Sequence, residues 1–568
     1  MAPPALAQRP ARALVFIGFM GAGKSRAARE LGAVLGEQAI DSDALLEERL
    51  GRPIAQLMAE EGEGWFRARE EELVLELLGR AGPGAVIALG GGAILSERVR
   101  EALGGHLTVY LESEAEASWE RLGPGRSRRP LAADPQRFAK LLQARRAIYE
   151  QLADATLPAG APPPGLRGAA AGGPPGEEPV ALRALPSLIA LSRAPRDTRL
   201  LWAWTSVAEY PVFIGRSLYV SRHSAGAEQA APGWSLRELW PPTLARRRSF
   251  LISDANVAPR YGPLLGEGGV DCVIEAGEEH KSLDSARHIW QELARAQMTR
   301  SDHIVALGGG VIGDLAGFCA ATYQRGVAIV HVPTTIVAQV DSAYGGKTGI
   351  DLPAAKNYVG AYHQPAAVIA DVQALATLPE REHAAGWVEA LKSALIAGGE
   401  LWEEVARSAP VDQRVILGCA KLKIEIVAAD ERDSGPRQVL NLGHTVGHAI
   451  EAVTGYRRFR HGEAVALGLL AALRISSQGA LREQVRELLA ARGLPVRLSG
   501  VDPDAVIAAV RYDKKREGDQ VPFVLVHAPG RVQHGCPVSA RELRSAVLEL
   551  CGGGSGERLR AGAAEGGR

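Results

Sequence analysis

Leu14-Val15-Phe16-Ile17-Gly18-Phe19-Met20-Gly21-Ala22-Gly23-Lys24-Ser25 is an apolar run that breaks into glycines and closes on a lysine and a serine. Leu14 to Ile17 reads as a short buried strand, and residues 26–35 space their apolar side chains as a helix does. Strand, glycine loop and helix in that order make a phosphate cradle. Glycines let backbone N–H groups approach phosphate oxygens, and the helix N-terminus adds positive potential. On the G-x-x-x-x-G-K-S spacing, Gly21, Ala22 and Gly23 form the loop, Lys24 faces the β- and γ-phosphates of a nucleotide, and Ser25 binds Mg²⁺.

The flanking sequence builds a sheet around the cradle. Residues 85–89 read as a second buried strand, ending in Gly90-Gly91-Gly92, and residues 107–111 as a third. Helical patterns lie between them, which predicts a parallel α/β sheet with helices on both faces. Residues 157–175 are mostly Ala, Gly and Pro, so 158–175 reads as a flexible insert or linker and predicts little shared core across it. Helical spacing returns over 177–192, giving a first domain of residues 10–193. A second strand series begins at 210–215 and continues at 250–254, 271–275, 303–307 and 327–332, with residues 224–248 as an insertion. After Pro379 the pattern is mainly helical until a strand at 521–526. This predicts an α/β half over 197–379, a mainly helical half over 380–550 and a disordered tail over 551–568.

The totals bound the partners. A length of 568 residues allows about three to four domains. Lys+Arg and Asp+Glu are equal at 65 each, which argues against nucleic acid or an acidic membrane as partner. Five cysteines without a CxxC spacing give neither a disulfide framework nor a zinc ribbon. The first residues lack the order of a signal peptide. The apolar run 464–473 is too short to span a bilayer. A cytoplasmic enzyme acting on small molecules is the expectation.

The second chemical signature lies past the middle. In Asn441-Leu442-Gly443-His444-Thr445-Val446-Gly447-His448 the two histidines are spaced i, i+4, on one helical face. That spacing suits two metal ligands, or one ligand and one acid/base group. Glu389 and His461, in His461-Gly462-Glu463, are further candidates.

Two resemblances follow from longer stretches. Asp41-Ser42-Asp43, Phe66-Arg67, Gly90-Gly91-Gly92, Arg128-Arg129-Pro130-Leu131 and Arg145 ahead of Ile148-Tyr149 make residues 10–193 resemble shikimate kinase. The resemblance implies that Asp41 joins Ser25 at Mg²⁺ and that Arg121 contacts ATP. It implies that Asp43, above Gly90, Gly91 and Gly92, holds the shikimate hydroxyls, while Arg67 and Arg145 grip its carboxylate. Arg129 is then the lid arginine at the transferring phosphoryl group, and Lys24 and Arg129 are the catalytic cations. Ala132 departs from the usual leucine, and Arg146-Ala147 stands where a proline is usual, so Arg146 could take the role of Arg145.

Gly308-Gly309-Gly310-Val311-Ile312-Gly313-Asp314, Val332-Pro333-Thr334-Thr335, Asp341-Ser342-Ala343-Tyr344-Gly345-Gly346-Lys347-Thr348, Lys356-Asn357 and the histidine segments make residues 197–550 resemble 3-dehydroquinate synthase. That implies a Zn²⁺ (or Co²⁺) held by Glu389, His444 and His461, with His448 in the pocket. It implies NAD at Asp254, Glu278, Lys281, Gly309, Gly310, Asp314, Thr334, Thr335, Asp341, Lys356 and Thr377. The substrate phosphate would meet Arg325, Lys347, Asn357 and one of Lys514 or Lys515. The carboxylate side would meet Lys423, Arg437 and Asn441. Lys347, Lys392, His448 and Arg325 are the implied catalytic residues, and Asp433 replaces a usual glutamate. The arginine matching Arg325 crosses a subunit interface in the family, which implies a homodimer through the synthase.

The implied reactions are phosphorylation of shikimate by ATP and cyclisation of 3-deoxy-arabino-heptulosonate 7-phosphate to 3-dehydroquinate, with NAD reduced and reoxidised in each turnover. The rival readings are another sugar-phosphate cyclase, which Lys423 and Arg437 oppose because a neutral ligand would leave them unpaired, an iron- or zinc-dependent alcohol dehydrogenase, which the clustered basic phosphate residues oppose, and a nucleotide-sensing N-terminal module without catalysis.

Overall fold

A computed structural model describes residues 9–123, 134–159, 179–218, 235–265, 270–353, 355–511 and 521–552. The first five strands are β1 (Leu14–Ile17), β2 (Ile40–Asp41), β3 (Val86–Ala88), β4 (Leu107–Glu112) and β5 (Ala155–Pro158). The series continues with β6 (Arg199–Trp204), β7 (Glu209–Gly215), β8 (Ser249–Asp254), β9 (Cys272–Ile274), β10 (His303–Gly308) and β11 (Ala328–Pro333). It closes with β12 (Lys347–Leu352), β13 (Ala355–Tyr362), β14 (Ala367–Asp371), β15 (Val521–Ala528) and β16 (Arg531–Val538).

Twelve of these strands form one sheet, in the order β2-β3-β1-β4-β5-β6-β7-β14-β11-β10-β8-β9. Only β6 and β7 among its neighbours run antiparallel. The apolar run Leu14–Ile17 is buried along its whole length, as a parallel strand covered on both faces must be. The two remaining strand pairs, β12–β13 and β15–β16, are separate hairpins. Among the described residues no helix is long and apolar enough to cross a membrane.

The sheet overturns the expectation of little shared core. β5 pairs with β4 on one side and, through Ala155–Leu200 and Thr156–Leu201, with β6 on the other. Asp154 fastens this seam. Its carbonyl accepts from Leu200 N at 2.8 Å, and its carboxylate accepts from Thr108 N at 3.0 Å and from Arg199 Nη1 at 2.9 Å. One apolar cluster crosses the junction, joining Leu14, Leu157, Leu188 and Leu191 to Trp202, Phe213, Leu251 and Ile369. Leu236, Leu239, Trp240 and Leu244, in the described part of the expected insertion, are buried in the same cluster. Ion pairs reinforce the seam. Arg183 Nε lies 2.8 Å from Glu209, and Lys421 Nζ lies 2.6 Å from Glu112 and 2.5 Å from Glu150. The Ala/Gly/Pro stretch was misleading because the strands on either side of it make the junction. Residues 160–178 themselves lie outside the described residues.

The helical half was expected and is present. Helices Glu380–Ala397, Gln413–Ala429, His444–Val453, His461–Ile475 and Gly479–Ala491 pack on one face of the sheet around a single large core.

Candidate active sites

The phosphate cradle takes the conformation that its glycines permit. Gly18 and Gly21 have φ of 144° and 79°, and Cβ atoms there would lie 2.7 Å from Leu111 O and 2.4 Å from Ser118 O. Lys24 opens the helix Lys24–Leu35, and its Nζ donates to the carbonyls of Gly18 (2.9 Å) and Phe19 (3.0 Å). Arg121 Nη1 donates to Gly21 O at 2.9 Å, so Arg121 stands at the loop. Asp41 Oδ1 accepts from Asp43 N (3.0 Å) and Ala44 N (3.1 Å). That oxygen is therefore spent on capping the helix Ser42–Leu50, a job the sequence reading did not give it.

The triple glycine lies under a charged cluster. A Cβ on Gly90 would come within 2.3 Å of Asp43 Oδ1, and one on Gly92 within 2.0 Å of Arg67 Nη1. Arg67 is held between Glu63 at 3.2 Å and the buried Glu70 at 2.6 Å. Burial pushes the Glu70 carboxyl up, against the pull of Arg67. Arg145 is buried and donates to Gly91 O at 3.0 Å, where Tyr149 OH also donates at 2.6 Å. Arg146 turns away to Glu114 at 3.0 Å. The structure thus points Arg145 into the cluster and leaves Arg146 on the surface. Arg129 lies outside the described residues.

The second site is assembled by three helices that touch through glycine. A Cβ on Gly462 would lie 1.9 Å from Ala385 O, and one on Gly468 would lie 1.8 Å from Gly443 O. Only glycine lets the helix bearing His461 meet those bearing Glu389 and His444 this closely. His444 Nε2 then lies 3.7 Å and His461 Nε2 3.4 Å from Glu389 Oε1. One ligand atom from each of the three lies within 4.8 Å of the others. Glu389 is 1% exposed. Its carboxyl is held well below the usual range because Lys392, His444 and His461 outweigh the opposing effect of burial. Lys392 Nζ lies 2.5 Å from its Oε2. Burial and Lys392 lower His444 far below its usual value. Burial opposes protonation of His461 too, but contacts with Glu389 and Glu451 on its two sides raise it to about 10. A buried carboxylate facing two imidazole Nε2 atoms is the mixed oxygen/nitrogen donor set of a catalytic divalent metal. His448 is exposed, its ring 5.2 Å from that of His444 and 6.0 Å from that of His461.

A charged network extends from this centre. Asp341 lies between Lys392, at 2.9 Å, and Lys423; burial would raise it, but the two lysines hold it far below the carboxylate range. Lys281 is buried, with Asp314 and Asn357 Oδ1 each 2.5 Å from its Nζ. Lys356 lies 3.4 Å from Glu278 and 3.3 Å from Glu451. Lys347 pairs with Asp433 at 2.6 Å, so the shortened side chain still reaches its lysine. Gly309 precedes the helix Gly310–Thr322, and a Cβ on it would lie 2.8 Å from Thr335 Cγ2. Thr334 N donates to Gly308 O at 3.0 Å, and its buried Oγ1 has no partner among the described residues.

Other expected residues stand apart or are engaged elsewhere. Asp254 accepts from Asn256 N and Val257 N at 2.9 and 3.1 Å. Thr377 Oγ1 meets Tyr261 OH at 2.9 Å, and Asn441 Nδ2 donates to Gln438 O at 3.1 Å. Arg325 is exposed on the turn Tyr323–Arg325, with φ of 65°. Arg437 is 1% exposed and donates to the carbonyls of Glu431 (2.5 Å) and Gly345 (3.1 Å). Arg437 thus braces two backbone carbonyls while its buried Nε has no partner among the described residues, and Lys423 shares Asp341 with Lys392. Lys514 and Lys515 lie outside the described residues.

Family models match the chain in three consecutive segments. They are shikimate kinase over residues 20–166, the 3-dehydroquinate synthase N-terminal region over 271–385 and its C-terminal region over 386–516. The 3-dehydroquinate synthase of Symbiobacterium thermophilum is 42% identical over 345 residues, covering 57% of this chain and 92% of its own length. The chain belongs to the 3-dehydroquinate synthase family, with a shikimate kinase domain ahead of it. A 2-deoxy-scyllo-inosose synthase solved with carbaglucose-6-phosphate, NAD+ and Co²⁺ is 25% identical, with a TM-score of 0.52 over 62% of this chain and 99% of that one. A shikimate kinase from Acinetobacter baumannii, solved with shikimate, is 34% identical over 27% of this chain and 87% of its own, with a TM-score of 0.26.

Two members of the sites escaped the sequence reading. Glu70 of the kinase follows Arg67 by one helical turn, a spacing that brings side chains together. Glu451 of the synthase lies on the helix His444–Val453, seven residues after His444 and three after His448. All three therefore share a face, and that periodicity could have flagged it.

Proposed function

We infer that this chain is a bifunctional enzyme that transfers a phosphoryl group from ATP to shikimate and cyclises 3-deoxy-arabino-heptulosonate 7-phosphate to 3-dehydroquinate with loss of phosphate. The convergence of Glu389, His444 and His461 carries the second half of this reading, and the cradle with Lys24 carries the first. When bound, Mg²⁺-ATP supplies the phosphoryl group, NAD supplies a reversible hydride acceptor, and Zn²⁺ or Co²⁺ supplies a Lewis acid.

In the kinase, Lys24 would exchange the carbonyls of Gly18 and Phe19 for phosphate oxygens, with Gly21, Ala22 and Gly23 offering backbone N–H groups, Ser25 holding Mg²⁺ and Arg121 steadying the loop. Asp41 would reach the cation through the oxygen that does not cap its helix. Arg67 and Arg145 would clamp the shikimate carboxylate, and Asp43 would accept the hydroxyl proton above Gly90, Gly91 and Gly92. Arg129 would neutralise charge on the transferred group. Little covalent work is needed beyond this positioning.

In the synthase, Glu389, His444 and His461 would hold the metal. Lys281, Asp314, Glu278, Gly309, Gly310, Thr334, Thr335 and Asp341 would hold the dinucleotide, with Asp254, Lys356 and Thr377 at its edges. Lys347, Asn357 and Lys514 or Lys515 would take the substrate phosphate, and Lys392, Lys423, Arg437 and Asn441 would order the carboxylate end. His448, exposed beside the two ligands, would move a proton. The exposed Arg325 supports a homodimer in which it completes the phosphate site of the second subunit. The cysteines Cys272, Cys319, Cys419 and Cys536 are buried free thiols, which fits a cytoplasmic enzyme.

The test is a pair of assays on purified protein, one with shikimate and ATP, the other with 3-deoxy-arabino-heptulosonate 7-phosphate and NAD. Turnover in both is expected. A chain that turns over a different sugar phosphate in place of the second substrate would overturn the synthase reading.

A further inference from the structure

We propose that Glu451 is a positioning residue that fixes the metal-facing orientation of His461 and ties it to Lys356 of the α/β half. The inference rests on the reading of Glu389, His444 and His461 as the metal centre. Each ligand imidazole has two nitrogens. His444 Nδ1 donates to Leu442 O at 3.1 Å, which leaves Nε2 as the nitrogen directed at Glu389. His461 Nδ1 donates to Glu451 Oε2 at 3.3 Å, which leaves its Nε2 directed at the same carboxylate oxygen. Both rings are thus anchored by an oxygen at Nδ1, one from the backbone and one from a side chain. An outer acceptor of this kind sets the tautomer and the aim of a ligating histidine.

Glu451 is built for that task. It is 2% exposed, so an ionised carboxylate there needs partners on both oxygens. One oxygen serves His461. The other lies 3.3 Å from Lys356 Nζ, which in turn lies 3.4 Å from Glu278. Lys356 comes from β13 of the α/β half, and Glu451 from a helix of the helical half. The chain Glu278–Lys356–Glu451–His461–Glu389 therefore connects the dinucleotide half to the metal centre through charged contacts. His448, Glu451 and His461 also form a compact donor group by themselves. His461 faces the two groups with different nitrogens, but its Nδ1 carries the proton given to Glu451, and the ammonium of Lys356 beside Glu451 opposes a second cation there.

The experiment uses the full-length chain stripped of metal and reloaded with Co²⁺, with affinity read by competition against a chelator and geometry read from the visible spectrum. Glu451→Ala should weaken Co²⁺ binding about ten- to hundredfold while leaving one ion per chain and the spectral pattern of an unchanged ligand set. Glu451→Gln, which keeps an acceptor oxygen, should recover most of the affinity. Kinase turnover, preserved in both variants, reports folding. Unchanged affinity in Glu451→Ala would overturn the proposal. So would a spectrum showing one ligand fewer in both variants, because Glu451 would then be a ligand itself. His444→Ala is run alongside. If it retains Co²⁺, the reading of the centre fails; if it loses Co²⁺ while Glu451→Ala does not, only the role of Glu451 fails.

Discussion

Lys421→Met should loosen the junction between the two catalytic domains. Lys421 belongs to the synthase helix Gln413–Ala429, yet its Nζ lies 2.6 Å from Glu112 and 2.5 Å from Glu150 of the kinase. Methionine keeps most of the stem and removes the charge, which leaves Glu112, Glu150 and, 3.9 Å from the lysine, Glu425 sharing a partly buried site. Exposed ion pairs contribute under about 1 kcal/mol, whereas breaking a fully buried pair costs about 3–5 kcal/mol. Lys421, Glu112 and Glu150 are 24%, 18% and 36% exposed, so the loss should be intermediate, about 2 kcal/mol. Hydrogen exchange reads this locally. The amide of Leu200, bonded to Asp154 O at 2.8 Å across the β5–β6 seam, should exchange about thirty-fold faster, while amides of β10 and β11 change little. Adding Glu150→Gln should recover part of the loss by removing one of the three like charges. An unchanged rate at Leu200 would refute the reasoning that this lysine clamps the domains.

Expressing residues 1–195 and 196–568 separately should give aggregation-prone pieces, because each exposes a paired sheet edge and half of a shared core; two soluble, active halves by size-exclusion and assay would contradict the continuous sheet. Gly92→Ala should raise the KM for shikimate at least about tenfold with little change in KM for ATP, because its Cβ would displace Arg67 from 2.0 Å. Gly468→Ala should cost several kcal/mol of stability and release the metal, because its Cβ would sit 1.8 Å from Gly443 O, next to His444. Metal content and thermal unfolding check the last expectation, and a variant that unfolds normally with full metal would contradict it.

The parts legible in the sequence are those written in local spacing. The cradle followed from glycines between an apolar strand and a helix, and the histidine pair from an i, i+4 repeat. The strand series and the change to helices after Pro379 followed from periodicity. The parts that escaped depend on distant contacts. β5 is four residues, Ala155–Pro158, and nothing within them announces that β6 will pair with it. The choice between Arg145 and Arg146 is made by which side of the helix Pro135–Leu152 meets Gly91. Nothing in the local sequence sets Gly462 and Gly468 apart from other helix glycines, and their contacts at Ala385 and Gly443 exist only after three helices have packed. The resemblance implies a substrate role for Arg437, but its contacts with the carbonyls of Glu431 and Gly345 arise only once the chain is folded.

If one chain carries two independent chemistries at two sites, the full-length protein must show a double dissociation. Lys24→Ala should lower shikimate phosphorylation by orders of magnitude and leave cyclisation intact. His444→Ala should abolish cyclisation and metal retention and leave phosphorylation intact. If either substitution removes both activities from a protein that remains folded, or if neither removes its own, the assignment of these two sites is wrong.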